Sequence, residues 1–288
     1  MIISCSRRTD IPAFYSDWFM NRLREGYVLV KNPVNPKQIR QLSLKPGDVD
    51  CIVFWTKDPE PMLDKLNLLQ DYQYYFQFTL TPYGKEMEPN LPQKKQNIES
   101  FLKLADKIGA KRVIWRYDPI LFTDNISIGY HVDRFGKFAG QLAGYAEKCV
   151  ISFIDMYRHI HSRAVGLNVR PPSEAEMHLL AREIASIAQS CGMLVETCAE
   201  EIDLSGYSIE HGRCIDDRLI ALLTGRELKV KKDIKQRKLC GCVESCDIGE
   251  YNTCPHCCRY CYANTGEKKV EKNRSLHSKQ SPFLIGQP

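Results

Sequence analysis

Short apolar runs rich in β-branched and aromatic residues recur along the first 200 residues: MIISCS (1–6), YVLVK (27–31), DCIVFWT (50–56), YYFQFTLT (74–81), RVIWRYD (112–118), CVISFID (149–155) and GMLVETC (192–198). Most do not alternate apolar with polar residues. They read as strands buried on both faces, as in a parallel sheet covered by helices. Helix signals lie between them. Ser16 to Glu25 stops at Gly26, Asn35-Pro36 and Asp58-Pro59 each open a short helix, Gln93 to Ile108 stops at Gly109, and Ser173-x-x-Glu176 is a capping box for a helix reaching about Ser190. Repeated β–α units of this kind predict an α/β fold, a complete or partial (β/α) barrel of TIM-barrel type.

In such folds the chemistry gathers at the C-terminal ends of the strands. Those ends carry Ser6-Arg7-Arg8-Thr9-Asp10, Thr56-Lys57-Asp58, Thr79 to Tyr83, Arg116-Tyr117-Asp118, Asp155 to His159 and Glu196 to Glu200. Taken singly, each reads equally well as a helix cap or a surface ion pair. Together they predict one polar rim. Arg116, Asp118, Asp155 and His159 are its candidate catalytic residues, and His159 suits acid–base work because an imidazole titrates near neutral pH. Arg7, Arg8 and Arg116 are candidates to bind a carboxylate or phosphate, anions that match a guanidinium fork. The competing role for these arginines is a structural pair with Asp10 or Asp118.

After Cys198 the pattern changes to a short helical piece, Ile215 to Leu223, then the basic stretch KVKKDIKQRK, then a cysteine-rich tail. This divides the chain into a barrel-like domain, 1–200, and an extension, 201–288, that packs on it. The basic stretch lacks interleaved aromatics and reads as a solvated face, and a formal charge of +5 does not demand a nucleic-acid partner. The start MIISCSRRTD has no signal pattern, and no run approaches ~18 apolar residues, so a cytoplasmic protein without membrane spans is expected.

Thirteen cysteines in a reducing compartment suit metal or cluster ligation better than disulfides, and seven of them fall between Cys240 and Cys261. Residues 254–261 read CPHCCRYC, placing Cys254, Cys258 and Cys261 in a C-x3-C-x2-C array. Three thiolates at this spacing can reach one iron–sulfur cube and leave its fourth iron without a protein ligand. Zinc through the pairs 254/257 and 258/261 is strained, because two knuckles need a spacer of about a dozen residues. Zinc through Cys240 or Cys242 with two residues of the later cluster, His256 being a candidate ligand among them, stays open as an alternative. Cys198, Cys214, Cys240 and Cys242 form a further set able to close a second iron–sulfur cluster or a tetrahedral zinc site. Cys5, Cys51, Cys149 and Cys191 read as packed core thiols.

The CPHCCRYC array resembles the cluster motif of radical S-adenosylmethionine (radical SAM) enzymes, including the aromatic Tyr260 before the last cysteine. The resemblance implies a 4Fe-4S cluster on Cys254, Cys258 and Cys261, with Tyr260 beside the adenosyl group. It also implies S-adenosylmethionine chelated to the open iron and cleaved to a 5′-deoxyadenosyl radical, and an electron donor such as a flavodoxin or ferredoxin. Two features depart from it. The motif lies near the C-terminus, and the loop after the first strand reads SRRTDIP; no glycine–glycine–acidic segment follows the second strand. Over nearly its full length the chain resembles an uncharacterised prokaryotic domain-of-unknown-function family whose cysteine cluster is likened to the radical SAM one. The segments ISCSRRTDIPAFY, VFWTKDPEPML, FTLTPYG, VIWRYDPI, ISFIDMY, CIDD and CGCVESCDIGEYNTCPHCCRYCYAN carry that likeness. It implies a barrel whose cluster loop arrives from the far end of the chain, as if circularly permuted. The expected function is thus a radical SAM-type enzyme acting on an unknown substrate. The rivals are a zinc- or cluster-stabilised nucleic-acid-binding protein and a cluster protein that only transfers electrons.

Overall fold

A computed structural model of the chain describes residues 1–286, apart from the side chain of His159. In chain order the strands are β1 (Ile2–Cys5), β2 (Tyr27–Lys31), β3 (Ile39–Ser43), β4 (Cys51–Thr56), β5 (Tyr74–Thr79), β6 (Val113–Ile120), β7 (Lys148–Phe153), β8 (Leu194–Thr197), β9 (Glu210–His211) and β10 (Cys246–Asp247). Eight of them form one sheet in the order β10-β1-β4-β5-β6-β7-β8-β9, and every ladder in it is parallel.

The apolar runs are explained by burial on both faces. Ile3, Cys5, Ile52, Phe54, Phe76, Phe78 and Trp115 point into a large core shared with the helices. Their neighbours Ile2, Cys51, Val53, Tyr75, Ile114 and Val150 point the other way, into a smaller core completed by Cys214, Ile215, Ile220, Cys240, Cys242 and Val243 of the tail. With apolar contacts on both sides, a strand has no solvent face on which polar residues are favoured.

The helices are α1 (Ile11–Phe14), α2 (Ser16–Glu25), α3 (Lys94–Ile108), α4 (Ile128–Leu142), α5 (Arg158–Arg163), α6 (Glu174–Ser190), α7 (Asp217–Thr224) and α8 (Glu267–Arg274). Helix α2 ends at Gly26, whose φ of 75° is the left-handed conformation that favours glycine at a helix end. Gln93 caps α3 and Ser173 caps α6, each in a reciprocal capping box.

Three expectations need correction. The complete barrel does not form, because no ladder joins β9 to β10 among the described residues and the sheet stays open. The run YVLVK is not a strand of that sheet. It pairs antiparallel with β3 in a separate hairpin, whose Val28 and Leu42 pack on the core, so the same local apolar signal serves a different partner. Asn35-Pro36 accordingly lies in the hairpin connection and opens no helix, whereas Asp58-Pro59 leads into a 3-10 helix at Glu60–Leu69.

The tail supplies both edges of the sheet. Strand β9 pairs with β8, and β10 lies beside β1 with Ile3 opposite Cys246 and Ser4 opposite Asp247. Chain that leaves β10 therefore emerges next to chain that leaves β1.

Candidate metal centre

That adjacency joins the SRRTD loop to the cysteine-rich loop. The Asp247 carboxylate accepts from Ser4 Oγ at 2.9 Å, Ser6 Oγ at 2.6 Å and the Arg7 N–H at 2.8 Å. Arg7 also donates to Ser245 Oγ, and Arg8 donates to the Gly249 carbonyl while lying over the Tyr251 ring. The hydroxyl of Tyr262 donates to the Arg7 carbonyl and that of Tyr15 to the Thr253 carbonyl. His256, inside the CPHC segment, donates from Nε2 to Asp10 Oδ2 at 2.9 Å. Arg7 and Arg8 thus spend donors on holding the tail, and both also line the cavity described below.

The loop carrying Cys254, Cys258 and Cys261 is pinned through its carbonyls. The Arg163 guanidinium, at the end of α5, donates to the carbonyls of Cys261 at 2.9 Å, Asn264 and Cys258. Asn264 Nδ2 donates to the Cys254 carbonyl at 2.7 Å, and the Ala263 N–H donates to Cys261 Sγ at 3.3 Å. Cys257 is turned differently. Its φ is 53°, and its thiol is directed at the Cys254 carbonyl, 3.7 Å away. Burial pushes both the Cys254 and Cys258 thiols up; at Cys254 the charges of Asp10, Cys261 and Cys258 add to it, whereas at Cys258 Lys57 opposes it while Glu88 and Cys261 add to it.

A buried ion cluster backs Cys258. Lys57 Nζ lies 2.8 Å from Glu88 Oε1, Lys94 pairs with the other Glu88 oxygen, and the Tyr260 hydroxyl donates to the same carboxylate. Burial favours neutral Glu88, but the two ammonium groups hold its carboxyl down at about 2. Two cations on one carboxylate leave a net positive charge beside Cys258, which suits a centre made of thiolates.

One cavity of about 1160 Å3 is lined by all three of these cysteines, by Tyr260 and Lys57, and by strand-end residues from across the sheet. Arg116 and Asp118 also line it. Arg116 Nε donates to Asp118 Oδ2 at 2.9 Å, Ser152 also bonds Asp118, and the guanidinium lies over Trp55. Burial opposes charge on Asp118, and Arg116 with Ser152 nevertheless holds its carboxyl low. Asp155 stands on the rim in an ion pair with Arg237 of the tail. The side chain of His159 lies outside the described residues.

Cys198, Cys214, Cys240 and Cys242 also line this cavity, and the structure gathers them: Cys198 Sγ is 3.2 Å from Cys214 Sγ. Among the described residues, no three His, Cys, Asp or Glu side chains surround a common point at which a single ion would sit. Sequence reasoning missed Arg163, Glu88 and the Asp10–His256 pair as supports of the loop. Only His256 and Asp10 carried a signal, the first by its place between two candidate ligands and the second by its place at the end of the first strand.

The sequence pattern of a family described as a domain of unknown function, DUF1848, matches residues 2–263. The chain belongs to the DUF1848 family. The matched region spans both halves of this DUF1848 site, from the SRRTD loop to the last cysteine of the array. No curated protein matches the chain. Among solved structures, a Bacteroides thetaiotaomicron protein provisionally named an alpha-L-fucosidase is 11% identical, with 81% of this chain and 85% of that chain covered and a TM-score of 0.30. A likeness that weak carries no argument about this DUF1848 protein.

Proposed function

We propose that this DUF1848 protein is an iron–sulfur enzyme of radical SAM type in which Cys254, Cys258 and Cys261 hold a 4Fe-4S cluster. One observation carries the reading: three free thiols on one pinned loop open onto the same large cavity as the polar ends of the sheet. The residues fit such a group. The thiols are unpaired, a positive cluster stands behind Cys258, and His256 Nδ1 and Asn264 Oδ1 are buried beside them without hydrogen-bond partners. The strand order from β1 to β8 runs around the sheet in one direction, which is the winding of a partial (β/α) barrel.

When bound, the cluster with S-adenosylmethionine supplies hydrogen-atom abstraction; the protein supplies orientation and a dry site. Lys57 keeps a fixed positive charge at the cavity wall. Arg116 keeps Asp118 ionised at the cavity lining, where that carboxylate can orient a substrate hydroxyl or amine. Small-molecule pockets measure ~300–1000 Å3. The cavity exceeds that range and has room for the cofactor and a small substrate together. The reading calls for a flavodoxin- or ferredoxin-type reductant and a reducing, cytoplasmic setting. No helix among the described residues is long and apolar enough to cross a membrane.

The test is anaerobic reconstitution with an iron and sulfide count, followed by S-adenosylmethionine and a reductant. Four irons and release of 5′-deoxyadenosine are expected. Zinc without iron would favour a nucleic-acid-binding module, and a cluster that releases no nucleoside would favour simple electron transfer.

A further inference from the structure

Cys198, Cys214, Cys240 and Cys242 come from three separate segments, yet their sulfurs form one continuous chain. Cys198 Sγ lies 3.2 Å from Cys214 Sγ, and the Cys242 thiol lies near enough to interact with those of both Cys214 and Cys240. Two glycines permit this convergence. A Cβ on Gly241, inside the Cys-Gly-Cys turn, would stand 2.9 Å from the Gly212 carbonyl oxygen, and a Cβ on Gly212 would stand 3.0 Å from the Thr197 carbonyl oxygen. Side-chain atoms of Glu196 and Arg213 crowd the same positions, but these two carbonyl oxygens belong to the backbone and cannot swing aside as a side-chain tip can. Only residues lacking a Cβ let the end of β8, the 212–214 loop and the 240–242 turn stack so closely.

Cysteines that merely fill a core need no such approach. Cys5, Cys51 and Cys149 are fully buried at scattered points of the sheet. The four gathered thiols instead receive N–H donors: Arg116 Nη1 donates to Cys214 Sγ at 2.8 Å and the Ile215 N–H donates to Cys242 Sγ at 3.3 Å. Donors aimed at sulfur are the second layer that orients and tunes thiolate ligands. The remaining donors of Arg116 go to Asp118 and Gln77, so this guanidinium is committed within the protein.

We propose that these four thiols form a second, closed metal centre that takes a single soft divalent ion of the zinc class. Tetrahedral zinc with Zn–S bonds of ~2.3 Å sets neighbouring sulfurs about 3.8 Å apart, close to the contact already present. A four-iron cube holds its ligand sulfurs much farther apart than the 3.2 Å contact of Cys198 with Cys214. The sulfurs do not yet surround one point, so binding requires the side chains to turn about χ1. Four thiol protons leave to solvent as four metal–sulfur bonds form, and no electrons move. The resulting charge of two minus is offset by Arg116 and by Arg7, which feels the charge of both Cys214 and Cys242. With no open position the centre is structural, stapling the tail to the end of β8.

The site stands apart from the reading of the 254–261 loop, and the experiment separates the two. Protein purified anaerobically without an affinity metal should hold one zinc per chain, and so should a Cys254→Ser/Cys258→Ser/Cys261→Ser variant that has lost its iron. Cys214→Ser/Cys242→Ser should lose the zinc. Gly241→Ala keeps all four thiols and should release zinc to a chelator roughly tenfold or more readily, the scale expected of a displaced ligand shell. Cobalt(II) titration of the unsubstituted protein, once a chelator has removed its zinc, should give a thiolate-to-cobalt charge-transfer band whether or not any variant folds. The proposal is overturned by absence of that band, by zinc that survives in the Cys214→Ser/Cys242→Ser variant, by iron and sulfide persisting in the triple variant, or by a Cys198–Cys214 disulfide in the purified protein.

Discussion

Replacing Arg163 with alanine should loosen the cluster loop while leaving the sheet intact. The guanidinium donates to the carbonyls of Cys258, Cys261 and Asn264, and reaches that of Cys257 only at 3.5 Å. A hydrogen bond from a charged donor contributes ~1.5–3 kcal/mol when well shielded. Arg163 is partly exposed and water can replace part of each bond, so about 1 kcal/mol for each of the three short ones is the fitting scale, or about 3 kcal/mol in all. That loss falls on the ordered form of one loop. At ~1.4 kcal/mol per tenfold, it weakens any metal held by the loop by roughly a hundredfold. The assay is iron retention against a chelator after anaerobic reconstitution, with a thermal melt alongside. Arg163→Lys keeps the charge but not the fork, and should recover only part of the retention. Wild-type retention in Arg163→Ala, or a collapse of the whole fold, would refute the assignment of Arg163 as a local clamp.

Cys258→Ala should abolish iron binding, whereas Cys257→Ala should leave it nearly intact, because the Cys257 thiol is directed at a loop carbonyl; equal losses would require another ligand set. Glu88→Gln leaves Lys57 and Lys94 without their shared carboxylate, and removing one partner of a buried pair costs ~3–5 kcal/mol. Calorimetry should show melting lowered on the order of 10 °C, and an unchanged melt would mean that the lysines are not held as ions there. His131 is buried and neutral, its Nε2–H donating to the Leu121 carbonyl and its Nδ1 accepting from Tyr117; burial lowers its pKa from 6.5 to about 4. Its contribution to stability is complete above pH 6.5 and is lost as pH falls through about 4, amounting to about 2 kcal/mol already lost at pH 5. Urea unfolding at pH 7 and pH 5 should show that slope and lose most of it in His131→Asn; an identical slope in the variant would count against the assignment.

Much of the fold is legible locally because the determining forces are local. The central strands announce themselves through apolar runs, since a strand covered on both faces has no place for alternating polar residues. Gly26, Gln93 and Ser173 mark helix ends because cap chemistry depends on residues within one turn. Helix α4 escaped notice because Gly129, Gly136 and Gly140 dilute its helical signal, although Ser127 caps it. The run YVLVK misled because periodicity reports burial and not the identity of the neighbouring strand.

The candidate site divides along the same line. The spacing of Cys254, Cys258 and Cys261 places them on one short loop whatever the rest of the chain does, so their nearness was determined by sequence. Which residues meet that loop was not. Tyr260 reaches Glu88 across 172 positions and His256 reaches Asp10 across 246. The four-thiol set likewise depends on β8, the 212–214 loop and the Cys-Gly-Cys turn packing backbone to backbone. Such contacts follow from β10 choosing the free edge of β1 and from the tail covering the second face of the sheet. Those choices lower the free energy of the whole chain, by burying apolar surface and pairing exposed strand edges, and no local stretch encodes them alone.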